Sequence, residues 1–364
     1  LSIANTVKVD LAERSYEITV GAGSLGNSTE LLKPFVSGKK IMIITDSNVE
    51  KLYLDKCSKV LAEAGANLSS ASFTAGESSK HIGTLEKLYS AAVDNGLDRG
   101  SLIIALGGGI PGDVAGFAAA TYMRGIKFIQ VPTTLLAMVD SSVGGKTGID
   151  LPQGKNLVGA FWQPKHVLID PEVLKTLPER EIRCGLAEVV KYGVIIDGDF
   201  FETLEKNIDK LKALDLDFYT EVIAHCCKLK AQVVSEDERE GGLRGILNYG
   251  HTFGHAVEAV SGFDKIAHGE GVSIGMRMAA DLAVELGMFD GASRDRQNAL
   301  LLAIGLPLAA PGLDPEKIFA AMFKDKKAQS GKLKLVLPEK LGKVIFRSDI
   351  EQEKILAAIK AACV

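Results

Sequence analysis

In the first half of the chain, apolar residues fall into short dense runs separated by stretches of helical spacing. Ile41-Met42-Ile43-Ile44-Thr45 and Leu102-Ile103-Ile104-Ala105-Leu106 are apolar over about one strand length, the pattern of strands covered on both faces of a parallel sheet. Leu68–Phe73 and Lys127–Val131 read as further strands. Val49–Ala64 and Lys80–Asp94 carry helical spacing and stop at Gly65 and at Asn95-Gly96, where a glycine can end a helix. A third helix follows the Leu102 strand and runs through Met123. Val7–Leu11 and Tyr16–Gly21 look like a hairpin. This alternation predicts an α/β N-terminal domain with a mostly parallel, Rossmann-like sheet.

After about Asp170 the spacing becomes helical almost throughout. Glu179–Val194, Phe200–Leu211, Phe218–Glu238, Gly250–Val260, Gly269–Leu286 and Arg294–Ile304 are predicted helices, with a late hairpin at Leu333–Leu337 and Lys343–Phe346. The expected division is a dinucleotide-binding domain over residues 1–175 and a mainly α-helical metal- and substrate-binding domain over 176–364. Clefts between domains are common ligand sites, so the active site is expected there.

Charge narrows the function. The 364 residues hold 42 Lys plus Arg against 46 Asp plus Glu, a net charge of −4, which argues against broad binding to nucleic acid or anionic membranes. No apolar run approaches the roughly 18 residues of a membrane span. The five cysteines are odd in number and lack C-x-x-C spacing, which points to free thiols in a reducing compartment. Cys226-Cys227 reads as core packing, because neighbouring helical residues point in different directions.

Gly107-Gly108-Gly109-Ile110-Pro111-Gly112-Asp113 follows a strand and opens a helix, with Gly107, Gly109 and Gly112 fitting G-x-G-x-x-G. Such a turn lets the backbone approach a pyrophosphate at a helix N-terminus, although it also serves as a bare β–α turn. The usual acidic ribose ligand about 20 residues later is missing. An acid does end an earlier strand, at Asp46, so a bound dinucleotide implies a non-standard strand order. Asp140 to Gly148 contains a second glycine pair, but its spacing fails the P-loop pattern, and Lys146 remains there as an anion contact or a solvated loop lysine.

Three of the six histidines fall between positions 251 and 268. His251 and His255 are four apart and share a helix face, a spacing found in zinc sites, although the central Glu of H-E-x-x-H is absent. His268 follows a short loop, and Glu188 sits among apolar neighbours where a solvated carboxylate is not expected. Two histidines and one glutamate with an open fourth position would make a catalytic zinc site; hydrogen-bonded structural side chains are the alternative. Lys146, Lys155, Lys191, Lys230, Arg244 and Lys327 recur beside these features, and Lys191 and Arg244 flank the candidate ligands. Together they suggest a substrate with more than one negative group.

Taken together, Gly107-Gly108-Gly109 with Gly112-Asp113, Arg124-Gly125, Pro132-Thr133-Thr134-Leu135-Leu136, Asp140 to Lys146, Lys155-Asn156-Leu157, Gly185-Leu186-Ala187-Glu188, Leu247 to His255 and His268-Gly269-Glu270 resemble the 3-dehydroquinate synthases, a family of sugar-phosphate cyclases, over nearly the whole chain. The resemblance implies zinc held by Glu188, His251 and His268, with Co2+ able to substitute. It implies NAD contacts from Asp46, Asn48, Glu77, Lys80, Gly108, Gly109, Ile110, Asp113, Thr133, Thr134, Lys155 and Thr176. It assigns Asp140, Lys146, Asn156, Lys191, Lys230, Arg244, Asn248, His255 and Lys327 to the substrate pocket, with His255 kept for proton transfer. Arg124 is expected to reach the neighbouring subunit's site, so a homodimer is implied. Pro111, Met138 and Asp150 depart from the residues frequent in the family.

The implied activity converts 3-deoxy-D-arabino-heptulosonate 7-phosphate into 3-dehydroquinate and phosphate in the shikimate pathway. NAD oxidises a hydroxyl, phosphate leaves by β-elimination, the ketone is reduced, and the opened ring closes by an aldol step, with no net redox change. The competing readings are another sugar-phosphate cyclase, a metal-dependent polyol dehydrogenase, and an inactive dinucleotide-binding scaffold. The expected location is the cytoplasm, or the plastid stroma if a transit peptide has been removed.

Overall fold

The computed structural model describes residues 5–262, 265–323, 328–329 and 332–364, so Lys327 lies outside the described residues. The chain forms two compact units, Leu1–Leu177 with Leu216–Arg239, and Pro178–Asp215 with Glu240–Val364.

Among the described residues, the first unit carries nine strands: β1 (Asn5–Val9), β2 (Tyr16–Val20), β3 (Lys40–Asp46), β4 (Asn67–Phe73), β5 (Leu102–Gly107), β6 (Lys127–Pro132), β7 (Lys146–Leu151), β8 (Gly154–Phe161) and β9 (His166–Ile169). Seven of them form one sheet in the order β1-β2-β9-β6-β5-β3-β4, parallel except where β1 meets β2. The apolar runs of β3 and β5 are buried as their composition predicts. Met42, Ile44, Ile103 and Ala105 of these strands pack with Val114, Ala115 and Ala118 of the Gly109–Thr121 helix.

Two local expectations are corrected. The helix after the glycine turn ends at Thr121 rather than Met123, because Met123 and Arg124 adopt left-handed backbone (φ 52° and 68°). Lys146 lies on a strand, not in a loop: β7 and β8 form a hairpin that glycine and polar residues hid from the apolar pattern.

The Leu216–Glu236 helix follows the expected boundary in sequence but packs with the first unit. Cys227 Sγ sits 3.3 Å from Met138 O, and Asp10 N donates to Ser235 Oγ at 3.2 Å. Cys226 and Cys227 are both fully buried, in keeping with a packing role.

The second unit is mainly helical, with a hairpin of Leu335–Lys340 and Lys343–Arg347. The single helix expected at Phe200–Leu211 is two, Gly198–Lys206 and Ile208–Lys212, broken at Asn207. Among the described residues, no helix is long and apolar enough to cross a membrane.

One buried group makes the first unit acid-sensitive. His166 on β9 is 1% exposed, packs its ring 5.6 Å from Phe35, and its Nε2 has no hydrogen-bond partner among the described residues. Burial pushes its pKa down to about 4. The unfolded chain takes up this proton near pH 6.5, whereas the folded chain does not. Stability is therefore full above about pH 6.5 and falls as pH drops toward 4, by on the order of 3 kcal/mol. Urea unfolding at pH 7.5 and 4.5 should show His166→Leu losing less stability on acidification than the wild type; equal losses would contradict this.

Candidate active site

The glycine turn and Asp46 meet through strand order. The chain moves from β3 outward to β4, then returns to β5 on the opposite side of β3. The carboxyl ends of β3 and β5 thus flank a topological switch point, where open α/β sheets bind ligands. Asp46 ends β3 and Gly107 ends β5. The acid that sequence spacing placed at Asp46 therefore ends the strand next to the glycine turn's own, earlier in sequence.

The Gly109–Thr121 helix starts without a side-chain cap, and Pro111 in its first turn has no N–H to satisfy. Gly112 permits close approach to the sheet, since a Cβ there would lie 2.8 Å from Gln130 Oε1 on β6. Asp46 Oδ1 accepts from Asn48 N at 2.8 Å and Val49 N at 3.0 Å, so it also fixes the start of the next helix. Thr133 is 4% exposed and its Oγ1 has no partner among the described residues, a buried donor at the strand end beside the turn. These features fit a dinucleotide. Thr134 Oγ1 accepts from Ala137 N at 3.2 Å, and Thr176 shares a 2.5 Å hydrogen bond with Tyr53.

Lys80, 4% exposed, organises a second cluster in this unit. Its Nζ donates to Asp113 Oδ2 at 2.6 Å and Asn156 Oδ1 at 2.5 Å. Burial opposes the ammonium charge, but the Asp113 carboxylate outweighs it and raises the Lys80 pKa. Lys155 lies 3.8 Å from Glu77. Lys230 Nζ donates to Asp140 Oδ1 at 2.7 Å and to its carbonyl at 2.6 Å. Asp140 itself sits in a π-helical turn, Ala137–Ser141, a rare geometry often found at functional sites. The left-handed backbone at Met123 and Arg124 stores strain where the intersubunit residue is expected.

In the second unit, close helix packing assembles the histidines. A Cβ on Gly275 would lie 2.0 Å from Gly250 O, and one on Gly254 would lie 2.7 Å from Gly271 O. Only glycine lets the His251–Ser261 and His268–Glu285 helices approach so closely. Glu270 pins the start of the second helix by accepting from Ala267 N at 2.9 Å and from Arg180 through both carboxylate oxygens.

Glu188, His251 and His268 then offer ligand atoms within 4.8 Å of one another. Glu188 Oε1 is 3.4 Å from His251 Nε2 and 3.6 Å from His268 Nε2. The opposite ring nitrogens face acceptors: His251 Nδ1 lies 3.0 Å from Tyr249 O, and His268 Nδ1 lies 3.1 Å from Glu258 Oε1. Those contacts fix the ring orientations and turn both Nε2 atoms toward Glu188, the outer-shell pattern of metal-binding histidines. The donor set fits zinc or cobalt.

Burial drives the His251 pKa well below its usual value. Burial also opposes protonation of His268, but Glu188 and Glu258 outweigh it and push that pKa up to about 10. Sequence spacing alone would pair His251 with His255; the structure groups His251 with His268 and leaves the His255 ring centre 5.4 Å from that of His251. Glu258 was missed, although His251, His255 and Glu258 follow i, i+4, i+7 spacing on one helix face.

Two cations of this unit are almost fully buried, Lys191 and Arg244, each 1% exposed. Lys191 pairs with Glu188. Glu240 accepts from Asn248 Nδ2 at 2.9 Å. Burying charge is expensive unless it is compensated.

The switch point with its glycine turn suits a dinucleotide, and the histidine–glutamate cluster suits a metal ion. A solved 2-deoxy-scyllo-inosose synthase complexed with carbaglucose-6-phosphate, NAD+ and Co2+ matches with TM-score 0.89 and 29% identity, covering 98% of this chain and 100% of that one. A 2-epi-5-epi-valiolone synthase from Streptomyces hygroscopicus with NAD+ and Zn2+ bound matches equally well, with TM-score 0.89 and 29% identity over 97% of this chain and 98% of that one. The family models described as 3-dehydroquinate synthase N-terminal and C-terminal match residues 70–184 and 185–328. The 3-dehydroquinate synthase of Desulforamulus reducens is 49% identical over 97% of this chain and 99% of its own length. The chain belongs to the 3-dehydroquinate synthase family.

Proposed function

We propose that this chain converts 3-deoxy-D-arabino-heptulosonate 7-phosphate into 3-dehydroquinate and phosphate, using NAD and a zinc ion. The observation that carries the reading is the Glu188–His251–His268 donor set beside buried Lys191. When bound, NAD supplies a reversible hydride acceptor and zinc a Lewis acid for substrate oxygens. The chain's own residues do the rest. The uncapped helix at Gly109 receives the pyrophosphate, and Asp46 accepts the ribose hydroxyls. Glu188, His251 and His268 hold the metal. His255 moves a proton on and off the substrate.

Substrate choice follows from charge. The heptulosonate carries a carboxylate as well as a phosphate. Arg244 is assigned to the carboxylate because its planar fork makes two parallel hydrogen bonds. Asp140, Lys146, Asn156, Lys191, Lys230 and Asn248 are the other assigned substrate contacts. We further assign the chain a homodimeric state with Arg124 acting across subunits, and a cytoplasmic place of work.

Side-by-side kinetics with the heptulosonate phosphate and sedoheptulose 7-phosphate, which lacks the carboxylate, tests this reading. Arg244→Ala should lower kcat/KM for the first substrate about tenfold or more, the worth of one charge-assisted hydrogen bond. Wild-type turnover of sedoheptulose 7-phosphate at an equal rate would transfer the chain to another cyclase activity.

A further inference from the structure

The β7–β8 hairpin is irregular where it meets the Lys80 cluster. Ile149 pairs with Val158 and Leu151 with Gly154, so residues 155–157 of β8 face the single residue Asp150. A bulge of this kind leaves ladder groups unpaired and re-aims side chains. Asp150 takes up both. Its backbone N–H leaves the ladder and donates to Lys80 O at 2.7 Å. Its Oδ1 accepts from Asn156 N at 2.6 Å. Asn156 sits in left-handed backbone at φ 55°, and its own Oδ1 accepts from Lys80 Nζ. Two strands are thus tied to one ammonium group through a residue that touches neither Asp113 nor the glycine turn by any of these bonds.

We propose that Asp150 is a positioning residue: by holding the bulge at Asn156 and the backbone at Lys80, it sets where the Lys80 ammonium stands in the NAD site. The inference rests on the proposed function, because Lys80 matters only if a dinucleotide binds. The chemistry required at position 150 is a hydrogen-bond acceptor of this length, not a negative charge. Asn keeps the acceptor and removes the charge; Ala removes both. Without the acceptor, the Asn156 N–H loses its partner, the left-handed turn relaxes, and Lys80 keeps the Asp113 contact and the Glu77 charge but not its hold on Asn156.

NAD titration by calorimetry on the full-length wild type, Asp150→Ala, Asp150→Asn, Lys80→Met and the Asp150→Ala/Lys80→Met double variant tests this, with thermal melting of each. Asp150→Ala should weaken NAD binding about tenfold. Asp150→Asn should stay within about threefold of wild type. In the Lys80→Met background, Asp150→Ala should add less than about twofold, because residues acting through one partner are not additive. Wild-type affinity in Asp150→Ala, equal losses in the Ala and Asn variants, or a full additional tenfold loss in the double variant would each overturn the proposal. If Asp150→Ala melts early, the Asn variant and the Lys80→Met pair still decide it: an Asn variant as weak as Lys80→Met would overturn it. Wild-type protein that binds no NAD would overturn the functional reading itself and this inference with it.

Discussion

Glu188→Gln should lose tight zinc binding and nearly all turnover while staying folded. Glu188 is fully buried, lies within reach of both histidine Nε2 atoms, and is paired with buried Lys191. A zinc site of four ligands is worth roughly 10–16 kcal/mol in all, so deleting the one anionic ligand should weaken binding by several kcal/mol, a hundredfold or more. Gln is the better probe than Ala. Either change removes the charge opposite Lys191, but Gln keeps a hydrogen-bond acceptor there, whereas truncation removes that as well and would mix misfolding with metal loss. His251→Ala and His268→Ala should lose the metal as well. In the metal-free protein His268 holds a proton near neutrality, since its pKa stands at about 10. Zinc uptake must displace it, so calorimetry in buffers of different ionisation enthalpy should record about one proton released. Stoichiometric zinc retained in His251→Ala would remove that residue from the ligand set.

His255→Ala should behave in the opposite way, keeping its metal and losing its rate. Its ring centre lies 5.4 Å from that of His251 and 5.9 Å from that of His268, close enough to face the same substrate atoms. It stands outside the Glu188–His251–His268 donor group. Removing a positioned proton donor or acceptor costs roughly 10²–10⁴ in rate. Elemental analysis should find wild-type zinc content while kcat falls by that factor. A second grouping of His255, Glu258 and His268 also brings ligand atoms within 4.8 Å, so zinc loss in this variant would move the metal to that set. Near-normal kcat would reduce His255 to packing.

The sequence shows these two clusters unequally. The parallel sheet is legible because β3 and β5 are apolar on both faces, and the glycine turn announces a helix start. Pairing Asp46 with that turn needed strand order, which sequence separation does not reveal. The metal set is half legible. Helical spacing finds His251 and His255 on one face, but His268 enters from another helix, brought close by Gly254 and Gly271. The Asp150 bulge left no periodic signal, because β8 opens with Gly154-Lys155-Asn156 and its register slips there. The placement of the Leu216–Glu236 helix was equally hidden, since an apolar helix face does not say what will cover it.

The most direct measurement is a single incubation of zinc-loaded protein with NAD and the heptulosonate phosphate, following phosphate, 3-dehydroquinate and absorbance at the NADH band together. The account predicts phosphate and 3-dehydroquinate in equal amounts, many turnovers per NAD, and no accumulating NADH, because the hydride is returned within each cycle. NADH rising in step with substrate loss, without phosphate release, would identify a polyol dehydrogenase and contradict it.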